Sequence, residues 1–290
     1  MKKKNLLLVV LIIACLAVFY GYKSMERMRT DMEAPEIIMD AALPELSVQD
    51  PRSALLQGVE AWDDKDGDVT ASLVVESVSL LDSTGRLEVG YAAFDKAGNV
   101  RKEKREAQYT DYIAPRFTMK APLVYTYGSN FDVLSTVGAM DVIDGEIQHR
   151  VRATSLGQES IAELGTHDVK FQVSNSLGDT VSLVLPVEIY DPGMYDAKLA
   201  LSKYLVYLDK GSSFVAADYL KTFTLGGEET DLQGRLPADY VLKTEGMVLS
   251  NTAGVYPVEY RLTYTQKHDT DPSRDRRYTA YSKLIVVVEG

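Results

Sequence analysis

The hydrophobic positions of this chain repeat. Gly85-Arg-Leu-Glu-Val89-Gly-Tyr91, Gly165-Thr-His-Asp-Val169-Lys-Phe171 and Gly254-Val-Tyr-Pro-Val258-Glu-Tyr260 share one pattern. In each, a valine follows the glycine by four residues and an aromatic follows it by six. Alternation of this kind puts the branched and aromatic side chains on one side of a half-buried β-strand entered from a glycine turn. Three copies predict three small β modules in tandem.

Other markers keep the same step. Asp31 to Pro35 is matched eighty residues on by Asp111 to Pro115, and eighty further by Asp191-Pro192. Proline cannot donate to a strand ladder and biases the residue before it towards extended backbone, so these points read as joints between modules. A constant step across several markers is the sign of a repeat architecture. The expected division is an N-terminal anchor and stem over 1–30, and modules over 31–110, 111–190 and 191–290.

In module one, strands are expected around Leu46, from Leu55 to Trp62, from Leu73 to Leu81, after Gly85, and from Arg105 to Tyr109. Module two repeats that order and closes with a strand over Val181 to Ile189. The acidic turn Asp63 to Asp68 has its counterpart at Asp141 to Glu146. Gly98 and Gly178 each lie thirteen residues after the motif glycine, in turns rich in residues that accept positive φ. Module three keeps the opening and the central strand and replaces the acidic turn with Gly226 to Thr230. Its last hairpin carries a charged tip, Lys267 to Arg277. Short strands punctuated by Gly, Asp and Asn turns predict an all-β protein of sandwich modules.

The N-terminus breaks the pattern. Leu6 to Tyr22 is seventeen residues without a charge, between Lys2-Lys-Lys4 and Lys23, Arg27 and Arg29. As a helix rising about 1.5 Å per residue it is roughly 25 Å long, at the short end of a bilayer span. Tyr20 and Tyr22 fall where an interfacial aromatic belt lies. Three readings stand open: a retained signal-anchor, a cleaved secretory peptide, and a lipoprotein modified at Cys15, since Ile12-Ile-Ala-Cys15 is a loose lipobox. The first is the expectation carried forward. All three place the bulk of the chain outside the cytoplasm, and the signal-anchor makes the membrane a partner through the N-terminal helix. No cell-wall sorting motif follows the last strand, so an anchor is expected at the front.

Charge and composition narrow the function. The net charge is -11, and the first thirty residues carry +5, leaving -16 on the remainder. Such a surface repels phosphate backbones, which argues against nucleic acid. The single cysteine, Cys15, rules out a disulfide within the chain and a cysteine-rich zinc site. The histidines, His149, His167 and His268, are scattered, and no nucleophile elbow, zinc-protease helix or phosphate loop occurs. No catalytic or cofactor-binding residue is assigned, and an enzyme is not expected.

Three features bear on binding. Asp64, Asp66 and Asp68 alternate and could face one cation. However, Gly67 precedes the third acid, and no bidentate glutamate follows at the twelfth position of a calcium loop. A turn is therefore the expectation, and no metal ligand is assigned. Trp62, the one tryptophan, reads as core. The ten tyrosines from Tyr195 to Tyr281 read mainly as strand packing.

Taken together, Ala34-Pro35-Glu36-Ile37, Asp64 to Thr70, Gly85 to Tyr91 and Asp95 to Asn99 resemble a known family. It is the bacterial immunoglobulin-like repeat of the pesticidal-crystal-protein type, found in surface proteins of Gram-positive bacteria. Module two keeps the order with substitutions, and module three keeps part of it. The resemblance implies immunoglobulin-like sandwiches in an extracellular setting and implies no chemistry. The expectation is a single-pass, membrane-anchored extracellular stalk or adhesion scaffold with a protein or cell-wall glycan partner. The alternative is a glycan or small-ligand receptor with its site in module three, at Tyr256, Tyr260 and the 267–277 tip.

Overall fold

A computed structural model describes residues 2–29, 31–157 and 161–290. The chain forms two compact units, Met1–Tyr112 and Ile113–Gly290. The first opens with helix α1 (Lys2–Arg29). Its described apolar side chains, among them Leu11, Ile13, Val18 and Phe19, are exposed. Among the described residues no helix is long and apolar enough to cross a membrane. Leu6, Leu7 and Val9, part of the expected span, lie outside the residues whose side chains are described.

After α1 come seven strands: β1 (Glu36–Met39), β2 (Glu45–Leu46), β3 (Val59–Asp63), β4 (Gly67–Asp68), β5 (Val74–Leu80), β6 (Arg86–Phe94) and β7 (Val100–Tyr109). They form a three-stranded sheet, β1-β3-β4, and a four-stranded sheet, β2-β7-β6-β5. Strand β2 runs parallel to β7, and the other pairs are antiparallel. The motif strand is β6. Val89 and Tyr91 are fully buried there, with Leu87 and Ala93, because period two sends them to one face. The Tyr91 hydroxyl donates to the Leu55 carbonyl at 2.8 Å, so the ring is buried without stranding its polar tip.

The second unit repeats this plan twice. Its first seven strands are β8 (Arg116–Met119), β9 (Val124–Thr126), β10 (Val137–Asp141), β11 (Gly145–Glu146), β12 (Arg152–Ser155), β13 (Gly165–Ser174) and β14 (Thr180–Tyr190). Helix α2 (Val133–Thr136) leads into β10. The next seven are β15 (Lys198–Leu201), β16 (Leu205–Leu208), β17 (Leu220–Leu225), β18 (Glu228–Asp231), β19 (Tyr240–Glu245), β20 (Gly254–Gln266) and β21 (Arg276–Val288). The sheets are β8-β10-β11 with β9-β14-β13-β12, and β15-β17-β18 with β16-β21-β20-β19. In each module the second strand pairs in parallel with the seventh. The fold is therefore all-β, in tandem sandwich modules, and the third set of strands has the topology of the first despite its divergent sequence.

The motif positions carry the cores. Val169 and Phe171 on β13 and Val258 and Tyr260 on β20 are buried. Tyr260 donates to the Ala216 carbonyl at 3.0 Å, as Tyr91 does to Leu55. Gly85 has φ +91, and a Cβ there would sit 2.7 Å from the Tyr109 carbonyl oxygen, so only glycine fits. Gly254 does not share that positive φ; the third copy enters its strand extended.

Candidate functional site

The acidic turn of the first module is built by strand alternation. On β3, Val59, Ala61 and Asp63 point inward while Glu60 and Trp62 point out. Trp62 is thus 57% exposed, contrary to its expected place in the core, and Asp63 is 2% exposed. Asp63 Oδ1 accepts from the backbone N–H groups of Lys65 and Asp66 at 3.0 and 2.9 Å, which closes the β3–β4 turn. Asp63 Oδ2 is buried and has no hydrogen-bond partner.

Two more carboxylates converge on this point. Asp31 lies in the segment entering the module. Its carbonyl and that of Glu33 accept from Asn99 Nδ2 at 3.3 and 3.0 Å. Asp66 accepts from the Lys96 backbone N–H at 2.7 Å, and that bond holds its carboxyl below the usual range. One carboxylate oxygen from each of Asp31, Asp63 and Asp66 lies within 4.8 Å of the others. The alternating trio of the sequence is not the group that gathers. Asp68 turns to the Thr70 N–H at 2.9 Å, and only Asp66 of the three belongs to the cluster.

The second module holds the same turn in another state. Asp141 Oδ1 accepts from the Ile143 and Asp144 N–H groups, each at 2.9 Å. Its Oδ2, however, accepts from Asn175 Nδ2 at 3.2 Å. Asp144 is held by the Ser176 N–H and hydroxyl and by Arg150 Nη1 at 2.7 Å. Asp95 stands where module two has Asn175: each opens a turn in which its own backbone N–H donates to the carbonyl four residues on. A carboxylate there offers no donor, so Asp63 Oδ2 is left without the bond that Asp141 Oδ2 has.

A second feature is the seam inside unit two. Leu205, Ile285 and Val287 belong to the same buried cluster as Phe117, Phe171 and Val187. The Phe117 N–H donates to Tyr207 Oη at 2.8 Å, and the Arg116 guanidinium lies 5.1 Å from the Tyr207 ring centroid while pairing with Glu289. Tyr281 donates to Glu188 Oε2 at 2.6 Å. Lys283, with a side chain only 4% exposed, is ion-paired with Glu188 and Glu259. Tyr195 stacks on Tyr281, with ring centroids 5.1 Å apart. A cleft of about 820 Å³ opens along this seam and includes Arg116, Lys120, Lys203, Lys221, Tyr204 and Tyr219 in its wall.

Of the residues expected to form a ligand face in module three, the two tyrosines bond within the module. Tyr260 is wholly buried, and Tyr256 donates to the Thr252 carbonyl at 2.8 Å. Tyr240, Tyr264 and Tyr278 pack around Phe223 and one another as core. The tip between Gln266 and Arg276 is exposed at most positions and contains a helical turn, Pro272–Arg274. His149, His167 and His268 lie on three separate elements. The sequence carried no signal for the seam, because Leu205, Ile285 and Val287 read only as strand residues.

No family model matches the chain, and no curated protein matches it. Among solved structures, one similar to it is "Protocadherin Gamma B2 extracellular cadherin domains 1-5", at 10% identity and TM-score 0.20, over 71% of this chain and 46% of that one. Mouse cadherin-23 EC22-24 matches at 10% identity and TM-score 0.20, over 88% of this chain and 99% of that one. The M60 catalytic domain with CBM51-1 and CBM51-2 from Clostridium perfringens ZmpB matches at 12% identity and TM-score 0.19, over 88% and 30%. The chain spans less than half the length of the first of these. At such TM-scores the fold rests on the chain's own strand order.

Proposed function

We propose that this protein is a membrane-anchored extracellular scaffold: a stalk of immunoglobulin-like modules that spaces or presents a surface for protein interaction. The observation that carries this reading is the shared core of the last two modules. Leu205, Ile285 and Val287 pack with the core of the preceding module, so that joint is a packed interface and not a free linker. A part that must hold a surface at a fixed distance needs such stiffness.

The anchor is helix α1. A helix with apolar side chains exposed along its middle is covered by something, and a run flanked by lysines and ended by tyrosines suits lipid. The motif order in modules one and two supports the bacterial immunoglobulin-like repeat of the pesticidal-crystal-protein type, and with it the exterior of a bacterial cell. The test is to express the chain with and without residues 1–30 and to fractionate cells. The intact chain stays with the membrane, and the shortened chain does not. Equal distribution of the two overturns the anchor.

A second reading is a receptor for an anionic glycan or small ligand. It is favoured by the seam cleft, where Arg116, Lys120, Lys203 and Lys221 gather on an otherwise acidic protein. Binding on an array of anionic glycans that Lys203→Glu and Lys221→Glu abolish supports this reading; an array without binding removes it.

A further inference from the structure

We propose that Asp31, Asp63 and Asp66 bind one calcium ion, which pins the entry segment of the first module to its β3–β4 turn. Asp63 is 2% exposed, and its Oδ1 is saturated by two backbone N–H groups while its Oδ2 has no partner. A buried carboxylate oxygen left unpaired is costly, and in native proteins such a group has a water or an ion as its partner. Lys65 and Lys96 neutralise only the outer carboxylates. Lys65 Nζ lies 3.1 Å from Asp31 Oδ1, and Lys96 Nζ lies 3.2 Å from Asp66 Oδ1. Their side chains are 45% and 80% exposed, and neither serves Asp63.

Geometry and chemistry then select the ion. Oxygens on opposite sides of a calcium ion, each about 2.4 Å from it, are about 5 Å apart. One oxygen from each of the three aspartates falls within 4.8 Å of the others. The donors are all hard carboxylate oxygens on a turn and an entry segment, without sulfur or imidazole. Calcium accepts irregular geometry and completes its shell with water, whereas magnesium demands a near-ideal octahedron. The second module is the internal contrast. Asn175 gives Asp141 Oδ2 a protein partner, Arg150 neutralises Asp144, and Asp111, the counterpart of Asp31, instead accepts from the Ser47 hydroxyl and Val48 N–H of the first module. That turn needs no ion.

The test is calorimetric titration of the full chain in detergent with calcium chloride and with magnesium chloride, alongside thermal melts. The expected result is one calcium per chain with a Kd of about 1 mM or tighter, the range of extracellular modules, and magnesium at least about tenfold weaker. At ten times the Kd the first transition rises by about 5 °C or more. Asp63→Asn and Asp31→Asn each weaken binding about tenfold or more, while Asp141→Asn leaves it unchanged. Asp31→Asn lies outside the strands, so it keeps the test valid if Asp63→Asn does not fold. A wild-type chain without calcium binding at about 10 mM, a preference for magnesium, or aspartate variants that bind like the wild type overturns the site.

Discussion

The backbone N–H of Phe117 donates to Tyr207 Oη across 2.8 Å, joining the first strand of one module to the second strand of the next. Phe117 is 1% exposed, so its amide has no water to turn to. Tyr207→Phe keeps the ring and removes the acceptor. The expected cost is about 1–3 kcal/mol in the urea unfolding of unit two, the range for a stranded buried donor. An unchanged midpoint would show the seam to be looser than described.

The same tyrosine sets an alkaline limit. Burial pushes the Tyr207 phenol up to about 12, and burial likewise raises Tyr260 and Tyr281. A phenol whose folded value lies above its unfolded value of about 10 keeps its proton more tightly when folded. That contribution to stability is complete below about pH 10 and is lost as pH climbs towards 12. Urea midpoints taken from pH 8 to 11.5 are expected to hold to about pH 10 and then fall, less steeply in Tyr207→Phe.

Lys283 offers a double-mutant cycle. Its side chain is 4% exposed and faces Glu188 and Glu259. Removing one member of a buried pair strands the other, so Lys283→Met alone is expected to cost about 3 kcal/mol or somewhat less, since Glu188 retains some solvent contact. Lys283→Met with Glu188→Gln is expected to be less damaging than the sum of the singles, by about 1 kcal/mol or more. Additive losses would mean that the pair is not coupled.

The repeated aromatic gives a matched comparison. Tyr91→Phe and Tyr260→Phe each delete one hydroxyl that donates to a carbonyl, Leu55 and Ala216 respectively. Each is expected to lower stability by about 0.5–1.5 kcal/mol. Phe171→Ala, by contrast, empties a fully buried ring site and is expected to cost about 3–5 kcal/mol. Chemical denaturation of the three variants measures the series.

The motif strands were legible because a valine and an aromatic two residues apart, after a glycine, serve only one face of a strand; Val89, Tyr91, Val169, Phe171, Val258 and Tyr260 are all buried. Trp62 was not. Alternation names two faces without saying which is inner, and hydropathy chose the tryptophan. The turn chose Asp63, because its carboxylate ties the Lys65 and Asp66 amides. The acidic cluster was hidden for a related reason. Its members come from positions 31, 63 and 66, and the entry segment is held at the turn by Asn99, which donates to the Asp31 and Glu33 carbonyls, and by Lys65, which pairs with Asp31. Module three kept its topology while losing the acidic turn, since the strand order depends on core positions such as Val258 and Tyr260 rather than on turn chemistry.

The most direct test of the account is where the modules stand relative to the membrane. Single cysteines placed at exposed Met32, Met194 and Met247, in a chain with Cys15→Ser, can be challenged on intact cells with a membrane-impermeant maleimide. The account predicts labelling at all three positions before lysis, with a cysteine at Asn5 labelled only after lysis. Labelling of the three module positions only after lysis would contradict it.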